Sequence, residues 1–441
     1  MQIVLIHFMQ TSLRPRVTAQ PSFRAPQRLA THVLRRATAL LALVGTLVGA
    51  LVLAGCGGGG GGGDGGGTST NAPVTPTSAH VVALSAQAAL GDKIFSDVSL
   101  SASGRVSCAS CHSEANAASP ANDLAVQLGG VLLDQQGKRS APSLDYLSFN
   151  TAFHLAADGS AHGGFSWDGR AASLSEQAVQ PLLGSAEMAN TNAAGLVAKL
   201  ARAPYANEFK QLFGADIFNR PDDALARLTL TLQQYQLEDR RFRSFSSKYD
   251  EFLRGKVALT RAEQRGLALF NSPSKGNCQS CHTSGQAADG SFPLFTDFSY
   301  DNLGVPRNTT LAANADPLHF DLGLCDRPEL ATRTDLCGAF RVPSLRNVAR
   351  RHVFFHNGRF ASLKEALTFY VQRDTNPEKW YPQNPDGSID KFNDLPAKYR
   401  VNVNLDEAPY NRQPGDAPAL SDAEVDDVIT FLHTLSDGFV R

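Results

Sequence analysis

Two Cys-x-x-Cys-His segments, Cys108-Ala-Ser-Cys111-His112 and Cys278-Gln-Ser-Cys281-His282, constrain this 441-residue chain more than any other feature. Two thiols three positions apart on a turn can bond both vinyl groups of one haem, and the adjacent imidazole then faces the iron. Zinc pairs and dithiol redox pairs use the same spacing. Zinc needs two further ligands near each pair, and a dithiol enzyme has no use for a histidine after the second cysteine in both copies. Two covalently bound haem c groups are therefore expected, attached through Cys108, Cys111, Cys278 and Cys281, with His112 and His282 as iron ligands. Of the seven cysteines, that leaves Cys56 near the N-terminus and Cys325 and Cys337 in a Pro/Gly/Asp-rich loop, where a disulfide is the simplest reading.

The surroundings of the two motifs also repeat. Leu84-Ser85, Gly91 and Phe95 recur as Leu259-Thr260, Gly266 and Phe270 at an interval of 175 residues. Thr260 and Glu263 form a capping box, a helix-start signature that satisfies two orphan backbone donors. Each unit closes with a helical pattern. The first runs from about Asp222 to Leu237; the second opens at Ser421, has Glu424 three residues later, and sets Val425, Val428, Ile429 and Leu432 on one face. The chain is also longer than one comfortable core. Two tandem domains are expected, residues 81–245 and 246–441, with Phe242 to Lys256 as the connector.

Residues 1–55 read as an address and residues 56–80 as a tether. Arg35-Arg36 precede nineteen uncharged residues, Ala37 to Gly55, which end in Leu53-Ala54-Gly55-Cys56. This ending is similar to the lipobox of bacterial lipoproteins, where a signal is cut ahead of a cysteine that then carries lipid. A retained membrane helix and plain secretion are the alternatives. Ten of the eleven residues 57–67 are glycine, a composition that behaves as a flexible leash. The expectation is a periplasmic protein anchored through Cys56. The leader also masks the charge: the total is −1, but residues 1–55 hold six arginines and no acid, leaving 35 basic against 42 acidic groups from Cys56 onward. With no basic stripe for phosphates, general nucleic-acid binding is excluded.

Each iron has a second side to account for. Electron-transfer haems of this type usually take His and Met. Beyond residue 55 the chain has one methionine, Met188, so at most one haem can be ligated that way. Either another residue ligates the second iron or one iron stays open. Peroxide chemistry needs an open iron, whereas two closed irons make a wire.

Phe165-Ser-Trp167-Asp168-Gly169-Arg170, followed by Gln177, Pro181 and Glu187-Met188, closely resembles the bacterial dihaem cytochrome c peroxidase and MauG superfamily, in which Trp, Gln and Glu stand at these intervals of ten. Phe340-Arg-Val-Pro-Ser-Leu-Arg-Asn347 and Phe354-Phe-His-Asn-Gly358 are similar to its second-half motifs, and the resemblance covers about residues 82–438. It implies a mainly α fold of two tandem cytochrome-c-like haem domains with long loops, the haems facing the domain interface. It also implies residue roles. His112 becomes the proximal ligand of a peroxide-binding haem and His282 that of a low-spin haem. Trp167 passes electrons between them, while Glu187, Gln177 and Pro181 line the distal face of the first. The family's peroxidases ligate the second iron with a Met eight residues after a Thr-Leu helix start. The same count from Ser362-Leu363 lands on Tyr370, and MauG-like members place Tyr there. The scarcity of methionine agrees.

The same family caps its resting first iron with a loop His about sixteen residues after the Cys-x-x-Cys-His. Residues 113–153 contain no His, so a five-coordinate first haem is expected, with His154 as the alternative cap. Members often hold one calcium ion between the domains; here Pro142-Ser-Leu-Asp145-Tyr146 departs from that pattern, with Asn150 further on. His356 either ligates or orders the loop near the second haem, and His319, His352 and His433 have no partner spacing.

Cleaving a peroxide O–O bond requires moving a proton from the inner to the outer oxygen, which a carboxylate over an open iron does as base and then acid. Glu187 is the candidate; without the Trp167 and Gln177 spacing it would read as a helix-surface glutamate. Three functions fit: a peroxidase that takes hydrogen peroxide and is fed by a small cytochrome or copper protein, a MauG-like oxidase of a protein substrate, or a dihaem carrier without catalysis. Glu187 and Gln177 argue against the carrier.

Overall fold

A computed structural model describes residues 83–441; the leader, the Cys56 anchor and the tether lie outside the described residues. The fold is mainly α, as expected. Ten α-helices run in chain order: α1 Ala86–Ser96, α2 Cys108–Cys111, α3 Leu174–Leu183, α4 Ala193–Leu200, α5 Ala206–Phe213, α6 Pro221–Glu238, α7 Lys248–Leu253, α8 Arg261–Asn271, α9 Leu363–Gln372 and α10 Asp422–His433. Three two-stranded antiparallel pairs join them: β1 Leu128–Gly129 with β2 Gln135–Gln136, β3 His154–Leu155 with β4 Ala161–His162, and β5 Tyr300–Asp301 with β6 Phe340–Arg341.

The repeated residues build the same packing twice. Ser85 caps α1 by accepting the Ala88 N–H, and reciprocal boxes start α8 (Thr260 with Glu263) and α10 (Ser421 with Glu424). In each half the opening helix crosses the closing one at its glycine. A Cβ on Gly91 would sit 2.5 Å from the Thr231 carbonyl oxygen of α6, and one on Gly266 would sit 2.0 Å from that of Asp427 in α10. No other residue permits so close a crossing. The repeated aromatics lock the contact one turn on: Phe95 lies 5.5 Å from Tyr235 of α6, and Phe270 lies 5.4 Å from Phe431 of α10. Both phenylalanines are buried, each stabilising its half by roughly 1.5–3 kcal/mol. Two large hydrophobic cores result, one drawn from residues 84–242 and one from 249–435, and a small third cluster joins Ala161 to Leu324, Leu330 and Ala339.

The stretch from Phe242 to Lys256 is structured. It contains α7, started by a Ser247–Asp250 capping box, and Asp250 is fully buried. A buried carboxylate needs a cation, and Arg346 supplies it through bonds of 2.8 and 3.0 Å, its guanidinium lying 4.5 Å over Phe245 and 4.8 Å over Tyr146. Tyr146 then reaches across the halves, its hydroxyl donating to Asp437 at 2.7 Å. Asn347 completes this joint: its amide donates to Asp145 (2.7 Å) and to Asp437 (2.9 Å).

Burial pushes the Asp145 carboxyl up to about 7, with the Asp437 charge adding to the effect and the Asn347 hydrogen bond opposing it. The native state therefore holds this proton more tightly than the unfolded chain, whose aspartates titrate near about 4. The resulting stabilisation is complete below about pH 4 and is lost as pH rises through about 7. Thermal unfolding followed against pH should show the midpoint falling across that window, and Asp145→Asn should flatten the slope.

Candidate functional site

Each of the four cysteines of the Cys-x-x-Cys-His segments borders one of two cavities. In the first half, Ser107 and Ser110 cap α2 reciprocally, a turn that sets Cys108 and Cys111 side by side ahead of His112. The second motif forms a 3-10 turn over Cys278–Ser280. Burial pushes the thiols up, to about 12 for Cys108, Cys278 and Cys281 and to about 11 for Cys111. A dithiol redox pair needs the opposite shift. Among the described residues no three or more His, Cys, Asp and Glu side chains come together to hold a metal, so a zinc set is not formed either. Both imidazoles are oriented alike: His112 Nδ1 donates to Ala118 O (3.0 Å) and His282 Nδ1 to Phe295 O (2.8 Å). That leaves each Nε2 lone pair for the cavity. Burial holds both imidazoles neutral, His112 being lowered to about 4. Paired thiols, a neutral oriented imidazole and an internal cavity are what a covalently attached haem requires, and the residues fit it at both places.

The first cavity collects Gln177, Pro181 and Glu187. Gln177 and Pro181 lie on α3, whose cap is Ser173. Glu187 follows in a turn closed by its own N–H to Gly184 O (3.0 Å), and the chain behind it is held by Gly130 N–H donating to Glu187 O (2.9 Å). Gly129, in β1, is the residue that lets this hairpin approach: a Cβ there would lie 2.2 Å from Ala186 O and 2.6 Å from Glu187 Cα. Burial raises the Glu187 carboxyl, and the nearby Arg170 charge partly opposes it. Met188 is buried in the first core and also borders the first cavity.

Tyr370 lines the second cavity together with His282. The Ser362 cap starts α9 and so fixes which face Tyr370 presents, and its ring stacks on Phe355 at 5.5 Å and lies 6.1 Å from Tyr410. Burial, with the nearby thiols and Asp301, pushes the phenol well above its usual range, so only a cation in the cavity would favour its ionised form.

Trp167 borders both cavities. Its indole N–H donates to Ser140 O (2.7 Å), and its carbonyl accepts the N–H of Arg341 from the second half (2.9 Å). The following Asp168 is buried. Burial works to raise its carboxyl, but Arg170 and Arg139 together hold it below the usual range. Arg139 bridges the halves, bonding Asp168 at 2.7 Å and Asp321 at 2.6 Å. The loop closed by the Cys325–Cys337 disulfide adds Arg327, which donates to Gly169 O (3.0 Å) and stacks 3.9 Å over Phe153. Asp326, Arg327 and Glu329 of this loop, with His319 and Leu311, also wall the first cavity. Part of that site's wall therefore comes from the other half of the chain. Nothing local marks Arg139, Asp321 or the loop in the sequence; Gly129 carries a faint signal as half of a Gly-Gly pair.

The remaining expected residues lie in different places. His154 is exposed, pairs with His162 across β3–β4 and lies outside both cavities. His356 borders the second cavity, where it is buried against Phe340 with ring centroids 3.5 Å apart, and its carbonyl orders the loop by accepting Ser140 N–H at 2.7 Å. His352 bonds Asp123 and Asn116. Asn150, the candidate calcium ligand, donates to Gly164 O (2.6 Å) and accepts Thr151 N–H (2.9 Å), so its side chain serves its own loop.

The chain is similar to known proteins in sequence and in fold. A family model described as di-haem cytochrome c peroxidase matches residues 85–258. The methylamine utilization protein MauG of Paracoccus denitrificans is 36% identical over 362 residues, 80% of this chain and 89% of that protein. Cytochrome c551 peroxidase of Nitrosomonas europaea is 30% identical, covering 68% of this chain's length and 77% of its own. The solved diheme peroxidase BthA of Burkholderia thailandensis superposes with a TM-score of 0.74 at 41% identity, over 80% of this chain and 86% of that one.

Arg139→Ala leaves Asp321 without its guanidinium partner and Asp168 with Arg170 alone. It should cost about 3–5 kcal/mol in denaturant unfolding, the loss typical of breaking a buried pair.

Proposed function

The chain belongs to the di-haem cytochrome c peroxidase family that includes MauG, and from that membership we propose that it reduces hydrogen peroxide in the first cavity with electrons drawn through the second. The observation that carries this reading is the shared wall: Trp167 borders both cavities, while Glu187 borders only the first and Tyr370 only the second. One site is thus equipped for proton transfer and the other for holding charge.

When bound, the two haems supply peroxide binding and cleavage in the first half and electron storage and transfer in the second. The chain supplies the rest. Cys108 with Cys111, and Cys278 with Cys281, form the thioether attachments, and His112 and His282 offer their Nε2 atoms to iron. Glu187 takes the proton from the inner oxygen of peroxide and returns it to the outer oxygen, which leaves as water. Gln177 and Pro181 shape the cavity around the oxidant. Two electrons and two protons complete the reduction to two waters. Trp167 carries the electrons between the halves, and the Ser140 and Arg341 bonds keep it from moving as it does so. Tyr370 would hold the second haem's iron through its phenol oxygen, and an anionic oxygen donor there would stabilise the oxidised states relative to methionine.

A small cytochrome or copper protein is the donor in this reading. The likeness to MauG favours a second one, oxidation of a protein substrate by the same site. Steady turnover with a reduced small cytochrome supports the first; slow turnover with a long-lived oxidised state supports the second. Peroxide that leaves both haem spectra unchanged defeats both. The Leu53-Ala54-Gly55-Cys56 sequence supports a periplasmic, lipid-anchored location.

Glu187→Gln should slow the peroxide reaction by about 10²–10⁴-fold in stopped-flow measurements. Glu187 must be ionised to accept a proton and its carboxyl is raised, so the wild-type rate should fall as pH drops through that range; the variant should lose this acid limb. Gly129→Ala should move Glu187 and slow the same step by on the order of 10²-fold, with both haems still attached. A five-coordinate first haem should give a high-spin ferric signal at room temperature, and its absence from the diferric protein would overturn that assignment.

A further inference from the structure

The buried arginines of this protein divide unevenly. Arg139 is matched by Asp168 and Asp321, Arg346 by Asp250, Arg373 by Asp374, and Arg327 by Glu329. Arg341 is matched by none of them. The residue is 5% exposed, lies in β6 and borders the second cavity. Its backbone N–H donates to Trp167 O (2.9 Å) and its Nε to Ser166 O (3.2 Å), but its Nη1 is buried without any partner. Its aromatic neighbour Phe298, with the guanidinium 5.9 Å above its ring, offers no negative charge.

A guanidinium does not shed its proton in proteins, and an uncompensated buried cation is costly. The carboxylates bordering the same cavity are engaged elsewhere. Asp321 binds Arg139, Asp394 binds Arg307 and the Asn357 amide, Asp145 binds the Asn347 amide, and Asp301 binds Asn404. Glu407 takes the amides of Asn277 and Asn404. The missing anion must therefore be one the cavity receives, and a planar fork of donors suits a carboxylate.

We propose that Arg341 binds a propionate carboxylate of the haem attached to Cys278 and Cys281. The inference rests on the di-haem reading of the site. It makes Arg341 a joint between two parts of the electron route, since one residue holds the Trp167 backbone and the edge of the second haem.

Intact mass of the purified holoprotein comes first. A chain without two attached haems overturns the di-haem reading itself. Given two haems, potentiometric titration of the wild type, Arg341→Gln and Arg341→Lys tests the proposal. Removing a cation beside a propionate disfavours the reduced haem. Arg341→Gln should therefore lower the second haem's potential by a tenfold change in its reduction equilibrium, 59 mV for one electron. The first haem should stay unchanged, and Arg341→Lys should recover most of the loss. The Gln variant should also make the second potential depend on pH near neutrality, as its propionate loses the cation that kept it ionised. An unchanged second potential with unchanged pH dependence overturns the proposal. If the Gln variant does not accumulate with both haems, the crystal structure of the wild-type holoprotein decides. A propionate oxygen within hydrogen-bonding distance of Arg341 Nη1 supports the inference, and any other partner there overturns it.

Discussion

The bond network of Arg139 is what the rest of the site depends on. One guanidinium, contributed by a loop of the first half, satisfies Asp168 beside Trp167 and Asp321 from the second half. A charge fixed between two carboxylates resists sliding in a way that an apolar contact does not, because each ångström of displacement uncovers a buried charge. The turn that carries Trp167 is thereby held in register with both cavities at once. Electron transfer between two centres is sensitive to distance, and this chain has few regular elements at the interface to set it. Ion pairs and loop carbonyls set it instead.

The two halves have kept a scaffold and diverged in chemistry. Gly91 and Gly266 allow the same tight crossing, and Phe95 and Phe270 fill the same position beside it. The helix after that crossing region differs in purpose. In the first half, α3 and the turn after it deliver an amide and a carboxylate; in the second, α9 delivers a phenol among aromatic rings. The surroundings differ accordingly: Glu187 shares its cavity with Arg170 and Arg139, while the Tyr370 ring packs beside Phe355 and Tyr410.

Residues whose role is set within a few positions along the chain were legible in the sequence. The cysteine pairs, the caps at Thr260 and Ser421, the Cys325–Cys337 pair and the helix over Pro221–Glu238 all declare themselves through local spacing. Tyr370 is what the family resemblance implies, by its count from Ser362-Leu363, and it lines the second cavity. Features that depend on distant partners were not legible. Asp250 in the connector reads as a surface acid until Arg346 is seen opposite it, and Arg139 reads as one loop cation among several. Gly129 reveals its purpose only when the Glu187 turn is found pressed against it. The wall built from His319 and the disulfide loop was hidden for the same reason, since it is folded onto a cavity whose motifs lie well over a hundred residues earlier.

That disulfide carries a consequence for how the protein is made. Cys325 and Cys337 must be oxidised for their loop to close the rim of the first cavity. In the di-haem reading proposed above, Cys108, Cys111, Cys278 and Cys281 would have to stay reduced until each had bonded a vinyl group, although each neighbouring pair is spaced to oxidise on its own. One chain thus needs opposite treatments for sulfurs of the same kind, within the same span of its maturation. A haem that arrives late would find two wrongly closed pairs, and an oxidant that arrives late would leave a filled site without its wall. Assembly of this protein is therefore a problem of timing as much as of folding.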